Sequence, residues 1–177
     1  MKNKWNYSGL GRVLYGHQST YKRPCAWLDE VGGTLEDWGC GCAGAKEHVK
    51  RCRYVGLDGS QNDYADRCDV DLREYTSEAD CILLRHVIDH NEDWEKILRN
   101  AVASFKKRMV LIIFHDLGPI TRVLFRQGSP KFAGVVDMQF KREDLMKHIA
   151  PYLVREERVL KDNESPNNNT LFYLEKI

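Results

Sequence analysis

Apolar residues along the chain fall into two alternating patterns, short continuous runs and stretches of helical spacing. "DCILLRHVI" (residues 80–88) and "RMVLIIFH" (108–115) are apolar enough to be central strands buried on both faces. Between them, "NEDWEKILRNAVASF" places Trp94, Ile97, Leu98, Ala101, Val102 and Phe105 at helical spacing. Upstream, residues 23–31 read as a short helix with Pro24 in its first turn and Gly32-Gly33 as its stop. Residues 34–38 then predict a first strand and 45–51 a helix. "RYVGLDGS" gives a second strand ending at Asp58 with a turn at Gly59-Ser60, and "CDVDL" (68–72) a short third strand. Downstream, "REDLMKHIAPY" is a helix, "LVREERVL" a half-exposed strand and "NTLFYLEKI" a last strand. The polar "DNESPNNN" turns the chain between those two strands.

Strands alternating with helices predict an α/β fold with a parallel, doubly wound sheet. The end of the chain departs from this rule. Its last two strands are joined only by residues 161–169, too few for a crossover helix, so they form an antiparallel hairpin. Residues 118–140 make a longer connection than usual, with room for a short helix. At 177 residues without an internal repeat, the chain predicts one domain.

Composition narrows the partners. The net charge of +1 sets up no global field toward nucleic acid or an anionic membrane. The basic clusters, Lys50-Arg51 with Arg53 and Lys106-Lys107-Arg108, sit where helices are expected to end, and there they complement the helix dipole. No apolar run approaches the roughly 20 residues of a membrane span, and the first residues lack the apolar core of a signal peptide. Six irregularly spaced cysteines, on or beside predicted strands, fit buried thiols in a reducing, cytoplasmic setting better than a disulfide scaffold. Cys40, Cys42, His48 and Cys52 can be drawn as a zinc set, but the same residues must turn a strand into a helix, which a tetrahedral ion would distort. No metal is expected.

The stretch "TLEDWGCGCAG" (34–44) carries the chemistry. Gly39, Gly41 and Gly44 satisfy G-x-G-x-x-G, a turn that lets backbone amides approach a ligand. That spacing alone is a weak signal. The carboxylates decide between ligands. A helix N-terminus suits a pyrophosphate, and Asp37 beside it would repel that anion. S-adenosylmethionine has no phosphate and offers an ammonium and a sulfonium, which Asp37 would attract. Asp58, 19 residues past Gly39, suits the two hydroxyls of a ribose in either cofactor.

On these residues the chain resembles the class I S-adenosylmethionine-dependent methyltransferases. "LEDWGCGCAG" resembles the family's acid-x-Gly-x-Gly motif, "YVGLDGS" its second motif and "CDVDL" its third, and the closing hairpin resembles its reversed seventh strand. The resemblance runs from about Pro24 to the C-terminus. It implies a Rossmann-like sheet of about seven strands in the order 3-2-1-4-5-7-6, with S-adenosylmethionine across the carboxyl ends of its first three strands. It further implies Asp37, Gly39, Cys40, Gly41, Asp58, Gly59 and Arg85 as cofactor neighbours. Asp69 and Asp71 compete for the adenine amino group, since the resemblance does not fix the register of this motif. Trp38 reads as core.

His86, at the end of "LLRHVIDH", is the candidate general base, with His115 beside Asp116 as the runner-up. His90 is expected to stabilise the following turn or helix start. Methyl transfer is an in-line displacement in which alignment does most of the work, so a base is not obligatory. The position after the fourth strand reads "RHVI" in place of the Asp/Asn-Pro-Pro-Tyr motif of amino-methyltransferases of adenine or glutamine. The only Pro-Cys pair, Pro24-Cys25, precedes the first strand, whereas a cytosine-C5 nucleophile is expected beyond the fourth, and it reads as helix packing. With no basic surface, a small-molecule, sugar or lipid-linked acceptor methylated on O or N is favoured over nucleic acid. A nicotinamide oxidoreductase and a non-catalytic cofactor-binding module are the competing classes. Two aromatic and basic segments are expected to close over the site. One is residues 1–23 (Trp5, Tyr7, Tyr15, His17, Tyr21). The other is residues 118–140 (Arg122, Phe125, Arg126, Lys131, Phe132, Met138, Phe140), whose arginines favour an anionic acceptor.

Overall fold

The computed structural model describes residues 18–126, 135–161, 163 and 167–177. The first helix, α1 (Ser19–Asp29), starts earlier than the sequence pattern predicts, so Pro24 lies inside it and not in its first turn. Proline there removes one helical hydrogen bond. The helix persists because Tyr21, Pro24, Cys25 and Leu28 are all buried against the sheet, and tertiary packing outweighs the lost bond. Four parallel strands follow: β1 (Gly33–Trp38), β2 (Cys52–Leu57), β3 (Cys81–Arg85) and β4 (Arg108–Ile113). The α2 helix (Trp94–Ser104) connects β3 to β4.

After β4 the chain forms a two-stranded antiparallel ribbon, β5 (Arg122–Arg126) with β6 (Val136–Gln139), in the long connection that had room for a short helix. Thr121 pins its base, accepting from the Lys141 amide at 2.9 Å and donating to Asp144 at 2.7 Å. The α3 helix (Arg142–Ile149), β7 (Leu153–Val159) and β8 (Asn169–Glu175) complete the fold. β7 and β8 pair antiparallel, and β8 inserts between β4 and β7. The main sheet therefore runs β2-β1-β3-β4-β8-β7, the predicted order without its outermost strand.

That missing strand is a correction with a visible cause. Residues 68–72 form no strand, and the edge of β2 gains only an isolated bridge between Leu57 and Arg67. The Asp66 carboxylate takes the Gly56 amide at 2.7 Å, Asp69 turns the backbone at φ 57°, and Asp71 chelates the Arg73 guanidinium. The predicted helix at 45–51 is likewise reduced to a 3-10 turn, Gly44–His48. Here the buried Asp29 carboxylate, at the end of α1, accepts from the amides of Lys50, Arg51 and Cys52 at 2.7–3.0 Å. Those amides are thereby committed to starting β2.

Strand alternation splits the sheet into two faces. Leu35, Leu83, Val110, Ile112, Leu171 and Tyr173 pack under α1 with Cys25 and Leu28. Trp38, Ile82, Leu84, Leu111, Phe172 and Leu174 pack against α2 and α3. Each fully buried aliphatic side chain contributes about 1.5–3 kcal/mol, which makes this double layer the main source of stability. All six cysteines are free thiols, and all except Cys68 are buried. No helix among the described residues is long and apolar enough to cross a membrane.

Candidate active site

The carboxyl ends of β1, β2, β3 and β4 meet on one edge of the sheet, and most of the candidate residues gather there. β1 runs into the glycine turn, where Gly39 (φ 72°) and Gly41 (φ 53°) both occupy left-handed backbone. The amides of Gly39 and Cys40 both donate to the Leu57 carbonyl, at 2.8 and 2.9 Å, which folds the turn across the end of β2. A Cβ on Gly39 would lie 2.5 Å from Val87 Cγ2, so the turn and the chain after β3 touch without room for a side chain. Cys40 is buried beneath the turn, and burial pushes its thiol pKa up, which suits packing and not reactivity.

Asp58 follows β2 directly and is buried. One carboxylate oxygen accepts from the Gly41 amide at 2.9 Å, the other from Ser60 at 2.8 Å. It thus ties the glycine turn to the loop carrying Gly59. Burial raises its pKa, and the two amides oppose that shift.

Glu36 and Asp37, adjacent in sequence, leave β1 on opposite faces. Glu36 accepts from Trp38 Nε1 at 2.9 Å and the Tyr75 hydroxyl at 3.1 Å, a structural role within the α2 face. Trp38 is core, fully buried and edge-on to Tyr75. Asp37 accepts from the Tyr54 hydroxyl at 2.7 Å. Burial lifts its pKa to about 6, against the Tyr54 hydrogen bond and the Arg85 charge. Arg85, the last residue of β3, donates to Thr20 Oγ1 at 3.1 Å and stacks 3.8 Å above the Tyr21 ring. Residues 19–23 of the expected covering segment are thus the first turn of α1, braced on Arg85. Trp5, Tyr7, Tyr15 and His17 lie outside the described residues, as do Lys131 and Phe132.

The two candidate adenine partners separate clearly. Asp71 is held bidentate by Arg73, which also reaches Asp93. Asp69 is exposed and bonds the Gln61 side chain, on the loop that follows Asp58. A cavity of about 370 Å³, lined by Cys42, Ala43, Lys46, Glu47, Asp63 and Tyr64, opens beside the same loops.

Beyond β3 lies a second group. His86 has φ 54°, a left-handed conformation rare for a side-chain-bearing residue, and its Nε2 stands 2.6 Å from Asn169 Oδ1. Burial, reinforced by the Arg85 charge, holds its pKa well below the ordinary imidazole value. His115, just after β4, is half-buried, its Nε2 has no hydrogen-bond partner among the described residues, and burial lowers its pKa too. Asp116 turns away from it to Arg158 and Asn168. The His90 ring reaches β6, with Nδ1 3.0 Å from Asp137 and 3.1 Å from the Val136 carbonyl. Asp137 and Asn169 escaped the sequence reading. Asn169 left only a faint signal, a polar residue opening an otherwise apolar strand. Among the described residues, no three His, Cys, Asp or Glu side chains cluster as a metal site.

This strand order, reversed final hairpin and glycine turn define the class I S-adenosylmethionine-dependent methyltransferase fold. No family model and no curated protein matches the sequence. Solved structures do match in fold. Magnesium protoporphyrin IX methyltransferase (ChlM) from Synechocystis PCC 6803, with bound S-adenosylmethionine, superposes with TM-score 0.65 at 15% identity, covering 97% of this chain and 88% of that one. The N-terminal domain of EvdMO1 with S-adenosylhomocysteine bound gives TM-score 0.64 at 10% identity, over 92% of this chain and 83% of that one. The sugar N-methyltransferase KedS8 from Streptoalloteichus sp ATCC 53650 gives 0.57 at 13% identity, over 96% and 90%.

Proposed function

We propose that this protein is an S-adenosylmethionine-dependent methyltransferase acting on O or N of a small molecule. The observation that carries the reading is the pair of buried carboxylates, Asp37 and Asp58, set around a glycine turn with no room for a side chain at Gly39. Asp37 beside that turn repels a pyrophosphate and suits an ammonium, and Asp58 with it suits a ribose. The residues fit the cofactor. Asp58 would accept the ribose hydroxyls, Asp37 would face the ammonium, and the Gly39–Gly41 backbone would line the contact. Asp69, exposed on its loop while Asp71 is held by Arg73, is the better partner for the adenine amino group. When bound, S-adenosylmethionine supplies an electrophilic methyl group.

The chain's own residues then align an acceptor and take its proton, with His86 as the favoured base. A sugar or other small acceptor is supported by the neighbours, one solved with D-fucose and another a sugar N-methyltransferase. Arg126 pairs with Glu92, and among the described residues of the ribbon Arg122 is offered as a cation for an anionic group on the acceptor. Residues 1–17 and the β5–β6 ribbon are proposed to complete the acceptor pocket. Calorimetry with S-adenosylhomocysteine beside NAD tests the reading. Binding of the first alone is expected, and binding of NAD alone overturns it.

A further inference from the structure

The His86–Asn169 contact fixes more than a distance, because an amide has one accepting end and one donating end. Asn169 is fully buried at the start of β8, and its Nδ2 donates to the Asn167 carbonyl at 3.2 Å. Turning the amide over would set Oδ1 against that carbonyl, oxygen to oxygen, so Oδ1 must face His86. An acceptor 2.6 Å from Nε2 requires a proton on Nε2. In a neutral imidazole the lone pair then lies on Nδ1, which has no hydrogen-bond partner among the described residues and is not one of their fully buried unpartnered atoms.

The rest of the site holds the ring in that state. The His86 amide donates to the Ile112 carbonyl at 3.0 Å, anchoring the strained residue to β4, and the Phe114 ring packs 5.0 Å from the imidazole. Among the described residues, the charged and titratable groups that bear on it most strongly are Arg85 on its own strand end, His90 beyond it and His115 just after β4, and the Asp89 carboxylate accepts from the amide of the packed Phe114. Asn169 is its neutral neighbour on β8. None of these sets a carboxylate in hydrogen-bond contact with the ring, where it could stabilise an imidazolium.

We infer that Asn169 is a positioning residue that locks His86 in the Nε2-protonated tautomer and leaves Nδ1 as the proton-accepting atom of the site. The inference deepens the proposed methyltransferase reading and rests on it for the identity of the proton donor. An acceptor hydroxyl or neutral amine, each with a lone pair to attack and a proton to lose, is the chemistry that this atom serves. The acceptor's lone pair forms the bond to the methyl carbon, and the carbon–sulfur bond breaks with its electron pair left on sulfur. The acceptor's proton passes to Nδ1, and the resulting imidazolium releases it to solvent. A carboxylate acceptor has no proton to give and would leave the lock without a purpose.

The test is nitrogen-15 NMR of histidine-labelled full-length protein, which reads tautomer and titration without any acceptor. In the wild type, His86 is expected to carry its proton on Nε2 alone at neutral pH, and to gain the second on Nδ1 only below the ordinary imidazole range. In Asn169→Leu a population protonated on Nδ1 should appear, and in Asn169→Asp the titration should move up by at least one pH unit. A wild-type His86 protonated on Nδ1 overturns the inference. So does a tautomer ratio and titration unchanged in both variants. Should Asn169→Leu fail to fold, Asn169→Asp alone decides, since its charge must be felt by a ring in contact. S-adenosylhomocysteine calorimetry on the same samples keeps the cofactor reading separate: loss of binding in the wild type sinks that reading while the tautomer result still stands or falls by itself.

Discussion

The Tyr54 hydroxyl donates to Asp37 Oδ2 at 2.7 Å across the parallel pair β1–β2, and it is the one side-chain donor that contacts this buried carboxylate among the described residues. One neutral donor does not offset the loss of water, which is why burial raises the pKa to about 6. A group held in this way prefers a cationic ligand and titrates close to physiological pH.

The sign of the pH effect follows. A cofactor ammonium binds the ionised form, so S-adenosylhomocysteine affinity should be level above pH 7. It should fall as pH drops through about 6, by at most about tenfold per pH unit. Asp37→Asn should flatten that profile and bind weakly throughout. A wild-type affinity constant from pH 8 to pH 5 in calorimetry would remove Asp37 from ligand binding.

Stability moves the other way. Because the folded pKa lies above the unfolded value, ionising Asp37 costs the folded state progressively as pH rises from about 4 to about 6. Asp37→Asn keeps an acceptor for Tyr54 and removes that cost. Its Tm should exceed the wild type at pH 7.5, with the gain shrinking toward pH 4. A lower Tm at both pH values contradicts this account.

Asp58→Ala should weaken S-adenosylhomocysteine binding by about 1.5–3 kcal/mol, the scale of lost charge-assisted hydrogen bonds. Part of that loss is order in the loops, since Asp58 holds the Gly41 and Ser60 amides. Near-unchanged affinity in a folded variant, measured by calorimetry, would exclude Asp58 from the site.

Gly41→Val should abolish cofactor binding, because the backbone at φ 53° must meet the ligand directly. Gly39→Ala should destabilise the fold, since its Cβ would meet Val87 Cγ2 at 2.5 Å. Adding Val87→Ala should relieve the clash, while the left-handed backbone cost of about 1–2 kcal/mol remains. Thermal unfolding of the single and double variants checks both parts. No relief in the double variant would rule out the contact as the cause.

The ribbon is tethered to the rim by His90. Burial works against charge on this ring, but the Asp137 carboxylate outweighs it, and the His90 pKa ends above the ordinary value. Its stabilising contribution is therefore complete below about pH 6.5 and lost as pH rises through the raised folded value. Hydrogen exchange at the β5–β6 amides should be slower at pH 6 than at pH 9, after correction for intrinsic rates, and Asp137→Asn should remove the difference. Equal protection at both pH values would contradict the tether.

What was legible in the sequence was whatever neighbouring residues settle among themselves. The runs at 80–88 and 108–115 are continuous because both faces of β3 and β4 are covered. The closing hairpin followed from a connection too short for a crossover. The glycine turn and Asp58 lay within one strand–turn–strand unit. Alternation along β1 implied that Glu36 and Asp37 part, but not which of them would find Tyr54 and which Trp38. The misread elements were decided by residues distant in the chain or by side chains competing for backbone. Asp29 captures amides more than twenty residues away and shortens the expected helix. Asp66 takes the Gly56 amide, and the third strand fails to form. Asn169 meets His86 across 83 residues of sequence, and only the insertion of β8 beside β4 brings them together. Hydrophobic periodicity reports which face of an element is buried. Which polar group satisfies which buried partner depends on the completed sheet, because that choice is made only after water has been excluded.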